Sequence, residues 1–175
     1  MKNMTRETML AALKALDETL DQSVSLVIGG GAAMVLAHGY QLGTFDIDAV
    51  PKGIDIATLD PYVKKIATRL GLAPDWLNPY YSTFSHTLPP DYSDRLVEVF
   101  KGTHLTALAL GLDEMLIMKC FAHRQKDVNH AKALIKKGAS IKNVEARIEQ
   151  LRDKNIPLAA KALDFLDDVM EQMDG

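Results

Sequence analysis

The chain has 175 residues, 47% of them hydrophobic, and a formal net charge of −3. This length and composition predict one globular domain, or one domain with a helical extension, and the charge gives no overall attraction to nucleic acid. A single cysteine, Cys120, excludes an intramolecular disulfide and any zinc site built on two cysteines. No apolar run reaches the ~20 residues that span a bilayer, so we expect a cytoplasmic protein that has no membrane contact.

The first 110 residues alternate between helical and strand patterns. Apolar spacing predicts helices over 4–21, 30–39 and 59–71, and strands over 23–29, 44–50, 95–102 and 103–110. Residues 72–94 contain four prolines and the only tryptophan, which predicts a long loop. Its aromatic side chains either stack on a nucleobase or fold onto the protein's own core, and we favour the second interpretation.

From Gly111 the pattern becomes purely helical. Two helical stretches are predicted over 112–138, and two more near 140–153 and 157–173. The expected organisation is an α/β core over 1–110 and a helical C-terminal region over 111–175 that packs on the core. The predicted fold class is therefore α+β, with a small mixed β-sheet flanked by helices.

Three consecutive glycines, Gly29, Gly30 and Gly31, follow the first predicted strand. Glycines between a strand and a helix let backbone amides approach a phosphate group. A dinucleotide-binding fingerprint is excluded because Met34 stands where a further glycine is required, and no Gly-Lys-Ser/Thr sequence is present. The glycines by themselves are compatible with two interpretations, a turn that packs a strand against a helix or a phosphate-binding loop. The packing turn is the more common of the two.

Two aspartates, Asp46 and Asp48, alternate with apolar residues in the predicted strand over 44–50. A period of two places both carboxylates on one face of the strand. The two negative charges repel each other, and a divalent cation such as Mg²⁺ removes that repulsion. A solvated strand face is the common explanation for an isolated Asp-x-Asp, but its place one short helix after a glycine turn makes the combination more specific.

The stretch "GGGAAMVLAHGYQLGTFDIDAV" resembles the active-site signature of the minimal nucleotidyltransferase superfamily, which has the DNA-polymerase-β-like fold. The likeness is to the bacterial branch related to abortive-infection and toxin–antitoxin nucleotidyltransferases. That branch also carries a helix with Lys, then Arg and Lys-Asp, which "EMLIMKCFAHRQKDVNHAKAL" matches. The resemblance implies the nucleotidyltransferase fold, an NTP substrate, Mg²⁺ or Mn²⁺, an RNA, protein or small-molecule acceptor, and a cognate toxin or antitoxin partner.

The resemblance also implies roles for individual residues. Asp46, Asp48 and a third carboxylate would hold the cation; the candidate is Glu98, mid-strand in an apolar context, with Asp94 as the alternative. Lys119 would neutralise triphosphate charge, and Asp127 would orient Lys119 or another basic group. The residues implied to contact the nucleotide are Gly29, Gly30, Gly31, Thr44, Lys119 and Arg124.

Three departures from the branch's pattern leave a second interpretation open. Gly31 and Ala32 follow where serine is common, Leu42 stands where arginine is frequent, and Glu98 replaces the more usual aspartate. The alternative is a catalytically degenerate member that acts as a binding or antitoxin module. The basic run over 119–137 is a solvated helix face or a patch for RNA or triphosphate. The spacing of Arg124 and His130 also matches a short pattern of helical ribonucleases, which is the least favoured interpretation.

Overall fold

The computed structural model describes residues 3–41 and 43–175; residues 1 and 2 and the departure at Leu42 lie outside the described residues. The chain divides into two compact units. Met1–Thr83 and Leu96–Leu110 form the first, and Phe84–Arg95 and Gly111–Gly175 form the second. The second unit therefore contains the region that begins at residue 111 and, in addition, residues 84–95 from the long predicted loop.

In its described residues, 3–41, 43–83 and 96–110, the first unit has a mixed sheet and three helices. The helices are α1 (Arg6–Thr19), α2 (Gly30–Leu36) and α3 (Ile56–Leu70). The strands are β1 (Val24–Gly29), β2 (Ile47–Lys52), β3 (Leu77–Asn78), β4 (Val97–Lys101) and β5 (Leu105–Ala109). Their order in the sheet is β3-β2-β1-β5-β4. β1 runs parallel to β5 and antiparallel to β2, β2 runs parallel to β3, and β4 is antiparallel to β5.

Two helices of this unit, α1 and α3, begin where a side chain accepts a hydrogen bond from a free N–H group of the first turn. Thr5 accepts a hydrogen bond from the Thr8 amide at 3.2 Å and starts α1. Asp55 accepts one from the Thr58 amide at 2.7 Å, so α3 begins three residues before its predicted start. Apolar residues of α1 and α3, Met9, Leu13, Leu16, Val63 and Ile66 among them, are buried in the core.

Strand β2 differs from its prediction at both ends. It begins at Ile47 rather than at residue 44, and it continues through Pro51 to Lys52. Proline fits there because β3 pairs only with Ile47 and Asp48, so the far end of β2 has no neighbour on that side. The segment over 72–94 is also more ordered than predicted, because it contains β3 and the 3₁₀ helices Tyr80–Thr87 and Tyr92–Arg95.

The second unit is built around α4 (Leu112–Ala122), α5 (Asp127–Lys136), α6 (Ile141–Asp153) and α7 (Ala159–Asp174). α4 packs against the other three helices and is buried for most of its length. Cys120 lies in this core, and burial raises the pKa of its thiol well above the usual range. Across residues 3–41 and 43–175, no helix combines the length and the apolar character needed to cross a lipid bilayer.

A buried carboxylate links α1 to the turn between β4 and β5. Asp17 accepts hydrogen bonds from the backbone amides of His104 at 2.7 Å, Leu105 at 2.8 Å and Thr103 at 3.2 Å. Burial by itself would raise the pKa of Asp17, but the three N–H donors outweigh it and lower that pKa. The Asp17 carboxylate also occupies the space that a side chain at Gly102 would need.

Replacing Asp17 with Asn is expected to lower the free energy of unfolding by about 1–3 kcal/mol at pH 7, because charge-assisted hydrogen bonds are lost. Since the folded pKa is below the unfolded value of about 3.9, the stabilisation is complete above pH 4 and disappears as the pH falls through the folded pKa. Urea unfolding of the wild type and Asp17→Asn between pH 3 and 7 measures this difference. The exposed neighbour serves as control, as Glu18→Gln should change little; a pH-independent difference would contradict the explanation.

Candidate active site

The two aspartates of the Asp-x-Asp motif lie at the start of β2. Asp46 immediately precedes the strand and Asp48 is its second residue. Ile47 and Ala49 are fully buried, whereas both aspartates are half-buried. The alternation therefore points the apolar side chains into the core and leaves the two carboxylates partly accessible to solvent.

Each of these carboxylates accepts a hydrogen bond from the segment 78–81. The side-chain amide of Asn78 donates to Oδ2 of Asp46 at 2.7 Å. The backbone N–H of Tyr81 donates to Oδ1 of Asp48 at 2.8 Å. Thr44 adds a longer contact, 3.4 Å from its hydroxyl to Oδ1 of Asp46. Hydrogen-bond donors on these oxygens hold the two carboxylates in fixed orientations.

The glycine turn packs directly against this pair of strands. Gly29 is paired with Asp48 across β1 and β2, and a Cβ at Gly29 would lie only 2.9 Å from the ring of Tyr81. Gly30 has a φ of +57°, and a Cβ there would lie 3.3 Å from that of Asp48. Tyr81 is buried and donates its hydroxyl to the carbonyl of Val27 at 2.7 Å. These glycines therefore have a packing role, and their contact with phosphate stays a prediction.

Glu98 lies on β4, at the opposite edge of the sheet from β3. It pairs with Leu108 of β5, which in turn pairs with Val27 of β1. Val27 pairs with Val50, two residues after Asp48, so Glu98 and Asp48 share one face of the sheet. Three strand spacings of ~4.8 Å separate them, or roughly 14 Å. Glu98 is also exposed to solvent. The expectation that it lies in an apolar environment, where an unpaired carboxylate would be costly, was therefore wrong.

The structure thus brings together Asp46 and Asp48 without Glu98. In the part of the chain that is described, no group of three or more His, Cys, Asp or Glu side chains is arranged to hold a metal ion. The alternative third carboxylate, Asp94, is exposed and belongs to the second unit. A cation at β2 would therefore have two protein carboxylates as its anionic ligands.

Lys119, Arg124 and Asp127 form a cluster of their own within the second unit. Asp127 is fully buried, and its carboxylate is 3.2 Å from Nζ of Lys119 and 2.8 Å from Nε of Arg124. Nδ1 of His130 lies 3.6 Å from the same carboxylate. The side chain of Lys119 is 6% exposed and that of Arg124 is 47% exposed. Only Arg124 is therefore open to a ligand from solvent.

The charges of this cluster depend on one another. Burial by itself would raise the pKa of Asp127, but the interactions of its carboxylate with His130, Arg124 and Lys119 outweigh it, so the pKa of Asp127 lies well below the usual range. Burial lowers the pKa of Lys119, and Asp127 opposes that shift. Asp127 is thus an ionised carboxylate that neutralises a buried lysine, and His130 belongs to the same cluster.

The sequence pattern did not indicate Asn78 and Tyr81 as hydrogen-bond partners of the two aspartates. They follow Asp46 and Asp48 by 32 and 33 residues, and no local periodicity connects them. One signal was available, because Asn78 precedes Pro79 and the residue before a proline is biased toward extended backbone. As we favoured, part of the loop folds onto the core: Trp76 and Tyr81 are buried, whereas Tyr80 is exposed.

A mixed five-stranded sheet with flanking helices, a glycine turn after β1 and two carboxylates on the neighbouring strand define a nucleotidyltransferase-like fold. The model of a family described as nucleotidyltransferases of unknown function, DUF6036, matches residues 7–162. The chain belongs to this family, which confirms the superfamily that the motifs indicated. No curated protein and no solved structure matches the chain significantly.

Proposed function

We propose that the protein is a Mg²⁺- or Mn²⁺-dependent nucleotidyltransferase that transfers a nucleoside monophosphate from an NTP to a hydroxyl group of an RNA, a protein or a small molecule. The pair of half-buried carboxylates, Asp46 and Asp48, at the start of β2 carries this proposal. Membership of a nucleotidyltransferase family supports it independently.

The donor set of these two aspartates suits a hard divalent cation. Mg²⁺ takes oxygen ligands and is commonly held by one or two carboxylates together with phosphate oxygens and water. Asp46 and Asp48 are accessible, and each has one oxygen already oriented by an N–H donor. When bound, the cation would neutralise phosphate charge and act as a Lewis acid.

The protein's own contribution would be to position the triphosphate. Asp46 and Asp48 would hold the cation beside the triphosphate, where it would supply positive charge while the acceptor hydroxyl attacks in line. The acceptor oxygen forms a bond to the α-phosphorus. The bond between the α-phosphorus and the oxygen that bridges it to the β-phosphorus breaks, and pyrophosphate and a proton are released. Glu98 has no part in this proposal because of its distance from β2. Of Lys119 and Arg124, the two basic residues that the resemblance implies, Arg124 has the more exposed side chain, and its contact with a phosphate stays a prediction.

The test is cation-dependent transfer of label to an acceptor. Purified protein is incubated with each α-³²P-labelled NTP, Mg²⁺ or Mn²⁺, and fractionated RNA, protein and small molecules from a bacterial lysate. We expect labelling of one acceptor class, which disappears on chelation and in the Asp46→Ala/Asp48→Ala double variant. Labelling that persists in the double variant would overturn the proposal.

The competing function is a binding or antitoxin module without catalysis. It predicts that no NTP with Mg²⁺ raises the melting temperature of the protein, and that a protein partner co-purifies with it in stable stoichiometry. The transferase predicts a thermal shift with its NTP and Mg²⁺, and that this shift is lost in the double variant. A toxin–antitoxin pair predicts in addition that expression of one member alone stops growth and that co-expression of the other restores it.

A further inference from the structure

Asn78 joins the carboxylates of β2 to the segment that follows β3. Its backbone is paired with that of Asp48 in the sheet, while its side chain crosses to Asp46. The side-chain amide also donates to the carbonyl of Asp75 at 3.2 Å, and its oxygen accepts from the backbone N–H of Tyr80 at 3.2 Å. A half-buried side chain in an edge strand of two residues thus makes three hydrogen bonds.

The orientation of this amide follows from its partners. One side of Asn78 faces a carboxylate oxygen and a carbonyl oxygen, which only accept, and the other faces an N–H group, which only donates. Rotating the amide by 180° would set oxygen against oxygen on one side and N–H against N–H on the other. The network therefore fixes an N–H donor toward Asp46.

We propose that Asn78 is a positioning residue of the cation site, holding the Asp46 carboxylate in the orientation in which it binds a divalent metal. This inference rests on the proposed function, in which Asp46 and Asp48 are the cation ligands. Groups that hydrogen-bond to metal ligands set ligand orientation, and losing one such group costs about 10- to 100-fold in metal affinity. Asn78 supplies this donor to Asp46, as the Tyr81 amide does to Asp48.

Two substitutions of Asn78 are expected to differ in their effects on Mn²⁺ binding. Asn78→Ala removes the donor and frees the Asp46 carboxylate to rotate, so the Kd for Mn²⁺ should rise about 10-fold or more. Asn78→Asp places a third negative charge beside Asp46, which is unfavourable until a cation binds. The melting temperature of Asn78→Asp should therefore be below that of the wild type without metal, and Mn²⁺ should raise it by more.

The experiment measures Mn²⁺ binding to the nucleotide-free protein by electron paramagnetic resonance and Mn²⁺-induced thermal shifts. Thr83→Ala is the matched control, because it removes a hydrogen bond of 3.1 Å to the carbonyl of Tyr80 in the same 3₁₀ helix without touching a carboxylate. It should bind Mn²⁺ like the wild type. Circular dichroism and urea unfolding establish that each variant is folded.

The outcomes separate this inference from the function on which it rests. An Asp46→Ala/Asp48→Ala variant that binds Mn²⁺ like the wild type would overturn the proposed cation site itself. Loss of binding in that variant together with a wild-type Kd in Asn78→Ala would overturn the positioning role alone. If Asn78→Ala does not fold, Asn78→Ser decides, since its shorter side chain also loses the N–H donor to Asp46, and a wild-type Kd for Mn²⁺ in that variant overturns the role.

Discussion

Replacing Asp48 with Asn is expected to lower the rate of nucleotidyl transfer by about 10³-fold while leaving the fold intact. Asparagine has nearly the same volume, and its Oδ1 still accepts the hydrogen bond from the Tyr81 amide. The variant loses only the negative charge toward the cation, whose stabilisation of transition-state charge is worth several kcal/mol. About 4 kcal/mol corresponds to about three factors of ten in rate.

The measurement is the rate of label transfer to the acceptor found in the wild-type experiment, at saturating NTP and Mn²⁺. Asp75→Asn is the matched control, because it makes the same chemical change at an exposed carboxylate three residues before Asn78. That variant should keep the wild-type rate. A wild-type rate in Asp48→Asn would show that this carboxylate is no part of the reaction.

Replacing Asp127 with Ala is expected to lower the free energy of unfolding by about 3–5 kcal/mol, the usual cost of removing one member of a buried ion pair. The substitution leaves the ammonium group of Lys119 buried and without its counter-ion. It also removes the carboxylate that Arg124 contacts at the start of α5. Urea unfolding at pH 7, followed by circular dichroism, measures the loss.

A double-mutant cycle identifies the cause of this loss. Lys119→Met removes the buried charge, so Asp127→Ala should cost much less in the Lys119→Met background than in the wild type. Because the pKa of Asp127 is lowered in the folded protein, its contribution is present above pH 4 and decreases as the pH falls through the folded pKa. An Asp127→Ala variant that is as stable as the wild type but inactive would instead favour the orienting role implied by the resemblance.

Local pattern was sufficient for most elements of the fold. The β-branched run before Gly29, the helical spacing of Met9, Leu13 and Leu16, and the alternation around Asp46 and Asp48 each reflect a period within one element. Their structural counterparts are β1, α1 and β2. The α+β class followed from these elements, and the resemblance of the glycine and aspartate motifs indicated the nucleotidyltransferase superfamily, which the family match confirms.

Predictions that required knowledge of the sheet order were less secure. The period of two correctly describes Glu98 as a strand residue, but not which strands separate it from Asp48. The burial inferred for Glu98 from its apolar neighbours was wrong, because β4 is an edge strand and its Glu98 position is exposed. An apolar context in sequence therefore did not imply an apolar environment in space.

The sequence by itself determined most helices and strands, the superfamily, and the two carboxylates of the candidate site, because each depends on residues close together along the chain. The tertiary structure alone decided which donors meet those carboxylates. Asn78 reaches Asp46, and Tyr81 reaches Asp48, only because the short strand β3 pairs with the start of β2. A two-residue strand has too few positions for a recognisable period, so this pairing and the partners it brings to the site emerge only in the folded chain.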